Sequence, residues 1–301
     1  MTSFYLYMES PYVTLDGVTI SYGDNPVLED VSFTIESGNI YGLIGPNGVG
    51  KTTLLKTLTG KVTSFTGELE VFSVDPRKDP QRVRESVGVL PEGGQPESMF
   101  RPPELWRYTA DQYGIDYDVA EQRAESLCEQ LDFSPADDVV ADSLSKGQQQ
   151  KLMIVRTFLP NPDLVLIDEP LVNLDRFSQY RFIRLLKSYT DLGNSVLFST
   201  HNTAIAASIS DRVMLLRDGR LIRSLSVDES VTEETLLEPY IANPQELVDT
   251  TPSDSDWGYG EDILESGAVD DGVEGESQTE KEGGEDRSVD EVPVESGGDN
   301  K

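Results

Sequence analysis

Four short stretches carry the residue types that chemistry on a phosphate requires. Gly45-Pro46-Asn47-Gly48-Val49-Gly50-Lys51-Thr52-Thr53 fits G-x-x-x-x-G-K-[ST] and follows the strand-like run Ile40–Ile44. Glycines are needed there because backbone N–H groups must approach phosphate oxygens without a Cβ in the way. The following helix, expected from Lys51 to about Leu58 and stopped by Gly60, points its positive end at the same phosphates. Lys51 should reach the β- and γ-phosphates of a nucleotide such as ATP, and the Thr52 hydroxyl should bind Mg²⁺.

The other three stretches supply acids, a helix start and a histidine. Leu164–Ile167 is an unbroken apolar run, as expected of a parallel strand buried on both faces, and it ends in Asp168-Glu169-Pro170. Ligands leave such strands at their carboxyl ends, so Asp168 is placed to hold Mg²⁺ and Glu169 to act as general base on a water. Ser145-Lys146-Gly147-Gln148 opens a helix that runs to Leu159 before Pro160. It reads both as a capping box and as an anion site suited to a γ-phosphate. His201, the only histidine, follows the apolar run Ser195–Ser199. That puts it at another strand's carboxyl end, within reach of the γ-phosphate or the attacking water.

In this order the motifs resemble the ATP-binding-cassette (ABC) ATPases over about residues 12–240, with Leu144-Ser145-Lys146-Gly147-Gln148 the discriminating element. The resemblance implies further roles. Tyr22 matches the aromatic that stacks on adenine, and Asp175 matches the loop aspartate that links the two sites of a dimer. Glu92 stands where most members carry a glutamine that contacts Mg²⁺ and the transport partner. Lys146 replaces a glycine of the signature, and serves phosphate or points at solvent. Both departures resemble exporter-type ATPases that work with a separate permease chain. One phosphate loop and one signature make half of each of two sites, so the resemblance implies a working pair of cassettes, homo- or heterodimeric. The alternative is an ABC ATPase not coupled to transport, acting in translation, on chromosomes or in cluster assembly.

The elements that must position these residues predict an α/β fold. Its parts are a P-loop NTPase core with a mainly parallel sheet, an N-terminal antiparallel β region and an inserted helical subdomain at about 93–143. The antiparallel region is read over 12–44, with strands at Val18–Ile20, Val31–Ile35 and Ile40–Ile44, and another strand at Gly67–Phe72. Helices are expected at Pro103–Tyr113 and Val119–Leu131. Met99–Pro103 and Trp106 offer a docking surface for a permease, although Trp106 also reads as core. A closing hairpin turns at Arg217–Arg220, and a last helix is expected near Ser230 with Glu233 in a capping box.

Composition adds partners and compartment. The net charge is −31, from 55 acids against 24 bases. Residues 249–301 carry 18 acids and 3 bases, too few apolar groups to offset ordering entropy, and are expected to be a disordered acidic tail. The ABC domain, 1–248, retains −16 and little lysine, which resembles proteins adapted to a high-salt cytoplasm, such as those of halophilic archaea. With no basic stripe, nucleic acid is not an expected partner. No base precedes Lys51 and no apolar stretch reaches membrane-spanning length, so neither a signal peptide nor a spanning helix is expected. The predicted place is the cytoplasmic face of the membrane, as a peripheral subunit. The single thiol, Cys128, reads as a packing residue.

Overall fold

Every other residue of the central strands faces a different core, and that alternation is what lets one sheet carry two layers. The computed structural model describes residues 10–240 apart from Asp24, Glu97, Ser98, Val172 and Glu229. The expected acidic tail and the start of the chain lie outside the described residues.

The chain opens with an antiparallel pair, β1 (Val13–Tyr22) and β2 (Asn25–Ile35). It then sends β3 (Ile40–Ile44) to a different sheet, where it lies parallel to its neighbours. This corrects the reading of Ile40–Ile44 as part of the antiparallel region: all five residues are buried, as in a central parallel strand. β1 also starts earlier than Val18, because Asp16-Gly17 is absorbed as a bulge rather than a break. The register shifts between Leu15 and Val18, and the Gly17 N–H donates to Ser32 Oγ at 2.9 Å.

Helix α1 (Lys51–Leu58) follows β3, and β4 (Phe65–Val71) returns to flank β1, giving the order β2-β1-β4. Helix α2 (Pro80–Ser86), capped by the Asp79 carboxylate on the Arg82 N–H, leads into β5 (Val87–Leu90). Next come α3 (Pro102–Tyr113), α4 (Tyr117–Gln130) and α5 (Lys146–Phe158). The chain then alternates through β6 (Leu164–Asp168), α6 (Arg176–Asp191), β7 (Ser195–Thr200), α7 (Thr203–Ile209) and β8 (Arg212–Arg217). The hairpin partner β9 (Arg220–Ser226) and helix α8 (Glu233–Leu237) close the described part. α8 is capped by Thr232 on Thr235, not by Ser230 and Glu233; Ser230 instead donates to Asp228.

The second sheet runs β5-β6-β7-β3-β8-β9, parallel except for β9. Leu164, Leu166, Leu197, Met214 and Leu216 face α1 and the antiparallel sheet, in one core with Val13, Val18, Leu28, Leu54 and Leu58. Val165, Ile167, Val196, Phe198, Val213 and Leu215 face the helices, in a second core with Leu105, Ala124, Leu152 and Phe182. Each such side chain contributes about 1.5–3 kcal/mol on burial, which is why these strands read as unbroken apolar runs. Trp106, 8% exposed, belongs to the second core, so its packing role holds and its docking role does not; Met99 remains 74% exposed.

Candidate functional site

The register of the parallel strands brings the motif residues to one edge. Ile44 pairs with Thr200, Asp168 with Ser199, and Leu90 with Ile167. The chain therefore leaves β3 into the phosphate loop, β6 into Glu169, β7 into His201 and β5 toward Glu92 from the same side.

Glycine is required at Gly50, where the loop turns into α1. Its φ is 111°, and a Cβ there would lie 2.6 Å from Leu28 Cδ2. Contact with Leu28 ties the loop to the antiparallel sheet, whose β1 ends in Tyr22, 53% exposed with its ring open to solvent. Lys51 is 6% exposed; its ammonium donates to the Gly45 carbonyl at 2.6 Å and the Pro46 carbonyl at 3.3 Å, and lies 3.7 Å from Glu169 Oε1. Burial pushes its pKa down from the usual lysine range, opposed by the charges of Glu169 and Asp168.

Asp168 and Glu169 are 6% and 8% exposed. The Thr52 hydroxyl donates to Asp168 Oδ2 at 2.6 Å, and the Ser199 hydroxyl donates to Asp168 Oδ1. Ser199 Oγ also accepts from the Glu169 N–H at 3.3 Å, and the Ser199 carbonyl accepts from the same N–H at 3.2 Å. Glu169 adopts φ 48°, a left-handed conformation that costs a non-glycine residue roughly 1–2 kcal/mol. That turn aims its carboxylate at His201, whose Nδ1 is 3.0 Å from Glu169 Oε1. The His201 side chain is 57% exposed. Ser199 escaped the sequence reading because it looks like one more residue of an apolar strand. Its adjacency to Asp168 in the sheet register is the signal that finds it.

The remaining predicted residues have their contacts elsewhere. Ser145 and Gln148 form the expected reciprocal cap, at 3.3 Å and 3.0 Å. Lys146 is exposed and donates to Gln149 Oε1 at 3.2 Å. The Gln150 side chain joins α5 to the acidic loop through the Pro170 carbonyl at 3.3 Å. Asp175 caps α6, accepting from the Ser178 N–H at 3.0 Å and the Ser178 hydroxyl at 2.7 Å. Those bonds hold its carboxyl below the usual carboxylate range. Glu92 is exposed and shares the lining of a cavity of about 300 Å³ with Thr52 and Asp168. Among the described residues no three Asp, Glu, His or Cys side chains converge to hold a metal.

This edge has known counterparts. The family model described as ABC transporter matches residues 28–172. The chain is 31% identical over 243 residues to the Nod factor export ATP-binding protein I of Rhizobium meliloti, covering 79% of this chain and 72% of that protein. It is 30% identical over 235 residues to the lipopolysaccharide export system ATP-binding protein LptB of Escherichia coli (strain K12), covering 76% of this chain and 96% of the relative. A solved structure of an ATP binding subunit of an ABC transporter superposes with a TM-score of 0.71 at 26% identity, covering 76% of this chain and 98% of the other.

The chain belongs to the ABC transporter ATPases.

It is the ATP-hydrolysing subunit of an ABC transporter, with the α/β P-loop fold of that family. Among the described residues no helix is long and apolar enough to cross a membrane.

Proposed function

We propose that this cassette binds Mg²⁺–ATP on residues 45–53 and hydrolyses it with Glu169 as general base, in a pair of cassettes that drives a separate permease. The observation that carries this is the convergence of Thr52, Asp168, Glu169 and His201 at one sheet edge with Lys51. The donor set fits magnesium. A hydroxyl and one carboxylate meet at 2.6 Å, and Mg²⁺ takes one or two carboxylates plus phosphate and water rather than an all-protein cage. Thr52 and Asp168 would hold the ion, with Glu92 beside the same cavity; the metal would neutralise charge on the phosphates. Tyr22 offers its face to adenine. Ser145, Gly147 and Gln148 supply the N-terminus of α5 to the γ-phosphate held by the other cassette, and Asp175 links the two sites.

Two relatives are named for export, of Nod factor and of lipopolysaccharide, which supports an exporter. The permease brings the membrane helices, and the cassette sits on the cytoplasmic face. The test is to tag Glu169→Gln, extract it from native membranes in concentrated KCl with ATP, and identify what comes with it. A polytopic membrane protein is the expected companion; ribosomes or soluble proteins alone would overturn the transport reading.

We infer also that the surface is built for concentrated salt. A charge of −16 on residues 1–248 is self-repulsive in dilute buffer, while at 1 M salt the screening length is about 3 Å. The thermal midpoint should therefore rise steadily from dilute buffer to molar KCl. A midpoint indifferent to KCl removes the inference.

A further inference from the structure

The last described turn, Glu238–Tyr240, reaches back to the root of the phosphate loop. The Tyr240 hydroxyl lies 3.1 Å from the carbonyl of Ile44 and 3.1 Å from that of Leu216. Ile44 is the final residue of β3, immediately before Gly45. Leu216 lies near the end of β8, just past a register shift between Leu215 and Leu216. Ile44 is the last residue of β3 paired to β7 and β8, and Leu216 pairs with Leu221 of β9, so both carbonyls lie at the strand ends beside the loop. One phenolic proton serves the two, shared in a three-centre bond.

Leu216 O also faces the loop itself. A Cβ on Gly45 would lie 2.7 Å from it, so the first residue of the loop rests against the carbonyl that Tyr240 fixes. Gly45 O in turn accepts from Lys51 Nζ at 2.6 Å. The sequence of contacts is Tyr240 hydroxyl, strand ends, Gly45, Lys51. Three anchors hold the turn that presents Tyr240. Arg217 donates to the Pro239 carbonyl at 2.7 Å, Thr203 donates to Glu233 Oε1 at 3.1 Å, and Leu236 is fully buried. The ring of Tyr240 packs against the helix-side core, and burial raises its phenol pKa, so the group remains a donor at any working pH.

We propose that Tyr240 is a positioning residue for the phosphate loop, through which the segment Thr232–Tyr240 tunes nucleotide affinity. The proposal rests on the reading that residues 45–53 bind ATP. Coupling of this kind is reciprocal: if the docked segment favours nucleotide, nucleotide favours the docked segment.

The test is Tyr240→Phe in the full chain, which keeps the ring and removes the shared donor. The KM for ATP and the Kd for a fluorescent ATP analogue should rise about three- to ten-fold, the worth of one hydrogen bond. The kcat at saturating ATP should stay within about two-fold, since the groups on the reacting atoms are untouched. In the wild type, the ATP analogue should slow amide hydrogen exchange across residues 232–240, and in Tyr240→Phe that slowing should be lost. A lower thermal midpoint with unchanged KM and retained exchange coupling would make Tyr240 merely structural and overturn the proposal. A loss of kcat at unchanged KM would also overturn it. Failure of the wild type itself to bind the analogue would instead sink the underlying assignment of the phosphate loop.

Discussion

Glu169→Gln will hydrolyse ATP about 10²–10⁴-fold more slowly than the wild type while binding it as well or better. The substitution preserves volume and leaves an oxygen or amide facing His201 Nδ1, now 3.0 Å from Glu169 Oε1. It removes the basicity that takes a proton from water, and it removes the charge that Lys51 faces at 3.7 Å. The left-handed φ of 48° at this position tolerates Gln no worse than Glu, so the loop should hold its shape. Binding and hydrolysis then separate. On the proposed pairing, the ATP between two cassettes is not consumed, and a paired form should accumulate. Phosphate release and size-exclusion chromatography in ATP and concentrated KCl read the two effects. Normal turnover in this variant would take Glu169 out of the base role.

Lys51→Ala strikes the other side of the same event. Its ammonium is the one cation hydrogen-bonded to carbonyls of the loop among the described residues, and it is nearly buried. Removing a donor aimed at phosphate charge in such a site costs about 10²–10³-fold in turnover. Affinity should fall as well, because the lysine serves the ground state and the transition state together. The fold need not suffer in proportion, since burial already disfavours the charged amine at this site. The decisive reading is a melt with and without Mg²⁺–ATP. Wild type and Glu169→Gln should be stabilised by nucleotide, and Lys51→Ala should show no shift. A Lys51→Ala protein that is stabilised like the wild type would place the phosphates elsewhere.

These two variants concern residues legible in the sequence, and the reason is locality. The phosphate loop, its strand and its helix are contiguous, so their spacing carries the geometry; α1 runs over Lys51–Leu58 as read. The signature cap is likewise local, and Ser145 and Gln148 bond as predicted. Sheet membership is not local. Ile40–Ile44 follows two antiparallel strands in the chain, yet its partners are β7 and β8, more than 150 residues on. Helix α2 and strand β5 are too short and too mixed in character for a periodicity to mark them. Ser199 and Tyr240 have no motif at all. The first matters only because β7 lies beside β6, the second only because its hydroxyl meets a carbonyl 196 positions earlier.

The odd–even division of the central strands makes the sheet a partition with separate addresses on each side. Leu164 and Leu166 speak to the antiparallel lobe, Val165 and Ile167 to the helices, and one step further Asp168 stands at the edge. Substitutions change one address at a time. A one-residue deletion within 164–167 would swap the facing of every strand residue on one side of the cut, and where that side holds Asp168 it would turn the carboxylate away from Thr52, though the strand's hydrophobicity would barely change.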